Sequence, residues 1–329
     1  MLTNRRRSVL AVDLGGTKII TSVILSTGEI TCRKYSLTLT DGDPRQVIDR
    51  LLSALTETMA QAKLKTSEIA GIGIAVAGVL DIDRGIVTTS PNLPHWRNVP
   101  LRDILADRLG VVTYVINDAS AAALGEHRFG AGIGFDNTVY LTVSTGIGGG
   151  IIIGGEPYLG VDGCAGELGH MTIEADGPQC HCGNFGCLEA MASGWAVAKE
   201  ATMRINRGVR SSITELVNGR LEDITAETVA MAARRGDRLA VDIVAKAANY
   251  LGIGLANLVN IFNPELIIIG GGLSKMGDML LKPARKVVKE RAFQLPARTA
   301  HIVRARLGSN AGIIGAAAYV FDQQDETKK

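Results

Sequence analysis

Three cysteines and a histidine crowd one short stretch of this 329-residue chain. From Glu167 to Glu189 it reads E-L-G-H-M-T-I-E-A-D-G-P-Q-C-H-C-G-N-F-G-C-L-E, and its soft ligands are His170, Cys180, Cys182 and Cys187. Cys-x-Cys, four residues and a further Cys, with a His upstream, supply the four ligands of a closed tetrahedral zinc site. Gly177, Pro178, Gly183 and Gly186 interrupt regular structure, so a knuckle-like loop folded round the ion is expected. His181 lies between two ligands, and its side chain is expected to point away from the metal, which leaves His170 as the fourth ligand. The competing reading is disulfides or simply buried thiols. Against it, the cysteines number five, an odd count, and no signal peptide opens the sequence. A reducing, cytoplasmic compartment is therefore expected. Cys32 and Cys164 read as ordinary small apolar residues.

Glycine turns are the second chemical feature. Asp13-Leu14-Gly15-Gly16-Thr17-Lys18, Ser144-Thr145-Gly146-Ile147-Gly148-Gly149-Gly150 and Gly270-Gly271-Gly272 each follow an apolar run. None is a Walker A loop, and none is G-x-G-x-x-G in a dinucleotide-binding context. In such turns backbone N–H groups can approach phosphate oxygens closely, and threonine hydroxyls add further bonds. One turn of this kind is most often a plain hairpin. Two in related positions and a third after a buried strand point to a phosphate-bearing ligand. Asp118 stands where a strand gives way to a helix of small residues. That is the crevice edge where α/β proteins bind ligands, and it is equally a place for a helix cap.

These residues need a scaffold, and the apolar patterning supplies one. Strands are expected at Val9–Val12, Ile19–Leu25, Glu29–Leu39, Ile69–Val76, Val111–Ile116, Thr138–Val143, Ile151–Ile153, Glu265–Ile269 and Ala300–Ala305. A helix is expected from Pro44 to about Leu64, capped by Asp43, with Val47, Leu51, Leu52, Leu55 and Met59 on one face. Further helices are expected near Leu101–Arg108, Ala119–Glu126, Gly194–Arg204, Thr225–Arg235, Leu239–Phe262 and Asn310–Phe321. Thr88–Pro94 reads as a loop, Ser144–Gly150 as a turn and Asp322–Lys329 as a frayed tail. The strand–glycine turn–strand pattern occurs twice, which suggests a repeat of two related α/β domains. No apolar run reaches the length of a membrane-spanning helix. The net charge of +2 gives no footprint for nucleic acid, and Arg5, Arg6 and Arg7 read as a solvated terminus.

Taken together, D-L-G-G-T-K at Asp13–Lys18, N-D at Asn117–Asp118, S-T-G-I-G-G-G at Ser144–Gly150, E-L-G-H and C-H-C-G-N-F-G-C-L-E resemble the ROK family of bacterial and archaeal sugar kinases and repressors. The resemblance runs from Val9 to Phe321. It implies an α/β, two-domain actin/hexokinase/Hsp70-like ATPase fold with duplicated ribonuclease H-like domains. The small domain would be residues 1–117 with the C-terminal helix at about 309–329, and the large one residues 118–308 with the zinc loop and a dimer interface. The implied reaction is ATP-dependent phosphorylation of glucose at the 6-hydroxyl, with Asp118 as general base. Asp13 would hold Mg²⁺, and Gly15, Gly16, Thr17, Lys18, Thr145 and Gly146 would cradle the ATP phosphates. Lys18 could equally be a solvated hairpin lysine. Gly271 and Gly272 would lie against adenosine. Asn92, Asn117, Asp118, Glu167, His170 and Glu189 would bind the sugar, and the Zn²⁺ would be structural.

S-P-N-L-P-H-W at Ser90–Trp96 resembles the glucokinase branch. An N-acetylmannosamine or N-acetylglucosamine kinase is the runner-up. A sugar-sensing regulator without turnover is the alternative of another class. The repressor branch carries an N-terminal winged helix-turn-helix, and only eight residues precede the first strand here, so the enzyme branch is expected. The resemblance also implies a homodimer or tetramer, with neither membrane nor nucleic acid as a partner.

Overall fold

The computed structural model describes residues 8–40 and 43–326, so Arg5–Arg7 lie outside the described residues. Within them the chain forms strands β1 (Ser8–Leu14), β2 (Lys18–Leu25), β3 (Ile30–Leu37), β4 (Ile69–Val76), β5 (Val79–Asp81), β6 (Ile86–Thr89), β7 (Arg97–Val99), β8 (Thr113–Asn117), β9 (Thr138–Val143), β10 (Ile147–Ile153), β11 (Glu156–Pro157), β12 (Leu266–Gly270) and β13 (His301–Arg304). They make two five-stranded sheets, ordered β3-β2-β1-β4-β8 and β11-β10-β9-β12-β13, and a three-stranded sheet β5-β6-β7. In the first sheet β1–β2 and β2–β3 are antiparallel, while β1–β4 and β4–β8 are parallel. The second has the same order of third, second, first, fourth and fifth strand, and β12 runs parallel to both β9 and β13. The repeated sequence pattern is thus a repeated sheet topology.

The chain divides into two compact units. The first is Met1–Asp136, Gly150–Gly166 and Arg306–Lys329; the second is Asn137–Gly149 and Glu167–Ala305. The break expected between residues 117 and 118 is displaced. Helix Asp118–Phe129 stays in the first unit because it packs along helix Ala311–Glu326 with almost no side chain between the backbones. A Cβ at Gly315 would overlap the Ala121 carbonyl oxygen, and one at Gly125 would overlap that of Ala311.

In the first unit Val9, Leu10, Ala11 and Val12 are all fully buried, the mark of a central strand covered on both faces. Helix Pro44–Ala62 lays Val47, Leu51 and Leu55 into the same core as Leu10 and Ile72. Asp43 caps it by accepting from the Arg45 N–H at 2.8 Å, with Pro44 preset in the first turn. Glu126 is a buried carboxylate that accepts from the backbone N–H groups of Ala131 (2.8 Å), Arg306 (3.0 Å) and Leu307 (2.6 Å). It therefore ties the returning C-terminal segment to helix Asp118–Phe129. Glu126→Gln sets an NH₂ against one of these donors and is expected to lower stability by about 1.5–3 kcal/mol. The check is a lower urea midpoint at constant m, and an unchanged midpoint would show that the carboxylate holds nothing.

In the second unit helix Arg238–Phe262 is the central element, capped by Asp237, which accepts from the Ala240 N–H at 2.9 Å. Asp242 and Lys246 interrupt its apolar sequence, yet by length and composition this helix could cross a membrane, with an 18-residue window at a mean hydropathy of 1.4. Its burial explains the composition: Leu239, Ile243, Leu251, Leu255 and Leu258 all sit in the interior of the unit.

Three other expectations change. β10 begins at Ile147, so Gly148–Gly150 are strand and the turn is only Ser144–Gly146. Thr88 and Thr89 end β6, in a small sheet that was not foreseen. The polar tail from Asp322 continues the last helix to Glu326, because Arg128 pairs with Asp322 at 3.2 Å and Gln324 donates to the Ala70 carbonyl.

Candidate active site and metal centre

In the first unit the turn between β1 and β2 carries Gly15, Gly16 and Thr17. The Gly15 N–H donates to Lys18 O at 3.1 Å, and the Thr38 hydroxyl donates to Gly15 O at 2.6 Å. A Cβ at Gly16 would press on the Asn92 backbone oxygen, so the loop bearing the exposed Asn92 lies directly on this turn. Asp13, at the end of β1, is largely buried. Burial holds its carboxyl above the ordinary carboxylate range, against the opposing pull of Lys18 and Arg33. Such a group gains from a bound hard cation, which restores the charged form. Lys18 is exposed, with its ammonium 6.0 Å from the centre of the Tyr35 ring.

Leu14, Val76 and Asn117 stand in one row across β1, β4 and β8. The glycine turn and the Asn117–Asp118 pair therefore leave the same carboxyl edge, two strand spacings or about 9.5 Å apart. This is where open α/β sheets bind ligands. Asn117 is the helix cap: its Oδ1 accepts from the N–H groups of Ala119 (2.9 Å) and Ser120 (3.2 Å), and its Nδ2 donates to Gly78 O at 3.3 Å. Asp118 lies in the first helical turn, where Oδ1 accepts from the Ala119 N–H at 2.9 Å.

In the second unit the Ser144–Gly146 turn joins β9 to β10. It is held from outside, because Gly194 N–H donates to Ser144 O (2.7 Å), Trp195 N–H to Thr145 O (3.1 Å), and Ile147 N–H to Glu189 Oε2 (2.8 Å). Beside it opens a cavity of about 600 Å³, walled by Thr145, Trp195, Ile224, Ala226, Arg234 and Gly272 among others. Thr145 and Gly272 were expected at a nucleotide; Trp195, Ile224, Ala226 and Arg234 were not. Gly271 does not line it. At φ 79°, with its missing Cβ directed at the Val143 backbone, Gly271 is a glycine for reasons of chain geometry.

The metal-ligand loop folds on two isolated bridges, Thr172 with Cys187 and Gln179 with Phe185. Cys180 Sγ lies 3.7 Å from His170 Nδ1, and Cys182 Sγ lies 3.7 Å from Cys187 Sγ. All four ligand atoms are within 4.8 Å of one another. A tetrahedral ion with bonds to sulfur of 2.3 Å spaces its ligand atoms about 3.8 Å apart, so the set fits Zn²⁺. Burial pushes the Cys180 thiol up to about 12 and raises that of Cys187, while the Asn184 N–H holds Cys182 below the ordinary thiol range. Buried thiols of this kind become thiolates only beside a cation. His170 Nε2 faces Glu167 Oε2 at 3.7 Å, which leaves Nδ1 for the metal. Glu189 sits at the other end of the loop, its Oε1 3.7 Å from Cys180 Sγ. His181 turns away from the ligands and stacks on Trp195.

Residues 9–323 match the model of the ROK family. The chain belongs to the ROK family. It is 38% identical to the glucokinase of Thermotoga maritima over 96% of this chain and 98% of that protein. It superposes on the ROK family glucokinase of Streptomyces griseus, solved in complex with glucose and AMPPNP, with a TM-score of 0.82 at 36% identity, covering 96% of this chain and 99% of that one. A xylose repressor of Caldicellulosiruptor bescii is 35% identical over 95% of this chain and 78% of that protein. The two matching sheets accordingly belong to the actin/hexokinase-like ATPase fold of ROK sugar kinases.

Proposed function

We propose that this ROK protein is a cytoplasmic, ATP-dependent hexose kinase that phosphorylates glucose at its 6-hydroxyl. The observation that carries the reading is the placement of Asp118. An acid in the first turn of a helix, on the same strand edge as the Asp13–Lys18 turn, suits a general base next to a phosphate loop. Identity to relatives named glucokinase supports the substrate.

In this mechanism Asp118 accepts the proton of the sugar hydroxyl as the oxygen bonds to the γ-phosphorus, and ADP leaves. Gly15, Gly16, Thr17 and Lys18 in the first unit are phosphate-binding residues, and so are Thr145 and Gly146 in the second. Adenosine occupies the cavity beside Gly272. Asp13 holds Mg²⁺, which supplies charge neutralisation on the phosphates when bound. Asn92, Glu167, His170 and Glu189 take sugar hydroxyls, with carboxylates able to accept from neighbouring pairs. Asn117, engaged as the cap, contributes by fixing the start of the helix that bears Asp118. The Cys₃His set leaves no ligand position open, so the zinc is structural. The assembly is a homodimer or a tetramer.

The similarity to a xylose repressor favours a second reading, a sugar-sensing regulator. Assaying Mg-ATP with glucose, mannose, fructose, N-acetylglucosamine and N-acetylmannosamine separates the readings. Turnover led by glucose is expected. Turnover led by an acetylated amino sugar would keep the mechanism and overturn the substrate. No turnover with any sugar would favour the regulator.

A further inference from the structure

Trp195 belongs to two neighbourhoods at once. Its indole lines the cavity beside Thr145 and Gly272. The same ring stacks on His181, with centroids 4.4 Å apart and planes at 27°. His181 is the residue between Cys180 and Cys182. Lys199, one helical turn beyond Trp195, stands over the ring at 5.6 Å. The indole Nε1 is buried and has no hydrogen-bond partner among the described residues. No directional bond therefore fixes the ring, and packing alone holds it, against His181 on one side and the Cys180, Cys187 and Ala190 cluster besides.

The backbone beneath the ring is tied to the phosphate turn, since Trp195 N–H donates to Thr145 O and Gly194 N–H to Ser144 O. A second connection runs through Glu189. Its Oε2 accepts from Ile147 N–H at 2.8 Å, and its Oε1 lies 3.7 Å from Cys180 Sγ. Glu189 is also two residues past the metal ligand Cys187, in the short helix Leu188–Ala192. Both connections start in the metal-ligand loop and end at the Ser144–Ile147 turn or the cavity wall.

We propose that the Cys/His loop braces the nucleotide side of the site, and that His181 is a positioning residue holding the Trp195 wall of the nucleotide cavity. This rests on the nucleotide reading of that cavity given above. His181 touches neither sugar nor nucleotide in this scheme; it acts through Trp195. Its loss is therefore selective. An aromatic stacking pair corresponds to about a two- to tenfold change in affinity.

The test is calorimetric titration of the zinc-loaded protein with Mg-AMPPNP and, separately, with glucose, in unmodified protein, His181→Ala and His181→Phe. His181→Ala is expected to weaken AMPPNP binding about two- to tenfold and to leave glucose binding within about twofold. His181→Phe restores the stack and the AMPPNP affinity. Acrylamide quenching of tryptophan emission rises in His181→Ala and loses that rise when Trp195→Phe is added, because Trp96, at 1% exposure, is shielded. Unchanged AMPPNP affinity in His181→Ala would overturn the proposal. Equal losses for glucose and AMPPNP would also overturn it, since they mean general loss of the loop. If the unmodified protein itself binds no AMPPNP, the kinase reading falls along with this inference. If it binds normally and His181→Ala binds equally well, this inference alone falls.

Discussion

Asp118→Asn is expected to lower kcat for glucose phosphorylation by about 10²–10⁴, the range of a lost general base. Glucose affinity and melting temperature should stay close to those of the unmodified protein. The selectivity follows from the geometry. Asparagine retains an Oδ1 that can accept from the Ala119 N–H, as Asp118 does at 2.9 Å, so the first helical turn keeps its bond. The helix start does not depend on Asp118 in any case, because Asn117 is the cap. What the amide lacks is basicity. It cannot take the hydroxyl proton. Steady-state ADP release reads the first effect, and calorimetry with glucose and a thermal melt read the other two. Turnover that survives the substitution would remove Asp118 from the role of base. Collapse of glucose binding and stability together would instead make Asp118 a structural residue.

The contrast between Asn117 and Asp118 shows where reading the sequence stops. Asn and Asp are both good caps, and adjacent candidates are separated only by which residue leaves the strand with extended φ and ψ, a property of the folded chain. The clustering of His170, Cys180, Cys182 and Cys187 and the presence of the glycine turns were legible because both depend on short-range spacing. So was the sheet duplication, since each copy begins with the same strand–turn–strand pattern. The walls of the cavity were not. Ala226 and Arg234 come from a helix, and Ile224 from the segment just before it, far along the chain from any glycine turn, and Ala226 and Ala230 at helical spacing read as an ordinary helix face. Sheet β5-β6-β7 was missed for a different reason: strands of three or four residues beside Pro91 and Pro94 are too short to show a period. The unit boundary was misplaced because glycines that let two helices touch, Gly125 and Gly315, look in sequence like glycines of any helix.

Removing zinc is expected to have the larger effect on stability. Cys182→Ser is the informative substitution, because Cys182 is exposed while Cys187 is fully buried. Serine at 182 removes a ligand with little packing loss, whereas truncating Cys187 would also open a cavity. The loop has only a small apolar cluster of its own, Cys180, Cys187 and Ala190 against Trp195. Its backbone bonds, such as Ile173 N–H to Gly186 O at 2.8 Å, Cys180 N–H to Asn184 O at 2.8 Å and Gly186 N–H to Pro178 O at 2.9 Å, close turns without burying a core. Loss of the metal is therefore expected to destabilise the protein on the order of 3–5 kcal/mol. Glu167, His170 and Glu189 then lose their fixed positions, so KM for glucose rises and kcat falls with it. Metal analysis, a thermal melt and glucose kinetics on Cys182→Ser and on chelator-treated unmodified protein measure all three. Protein shown to be free of zinc that keeps its melting temperature and its glucose turnover would sink the structural-metal reading. Adding Zn²⁺ back to the chelated unmodified protein should recover stability and kinetics together, and should fail in Cys182→Ser. The reason is that the folded loop gathers four ligand atoms within 4.8 Å, and serine at 182 leaves only three of the soft ones.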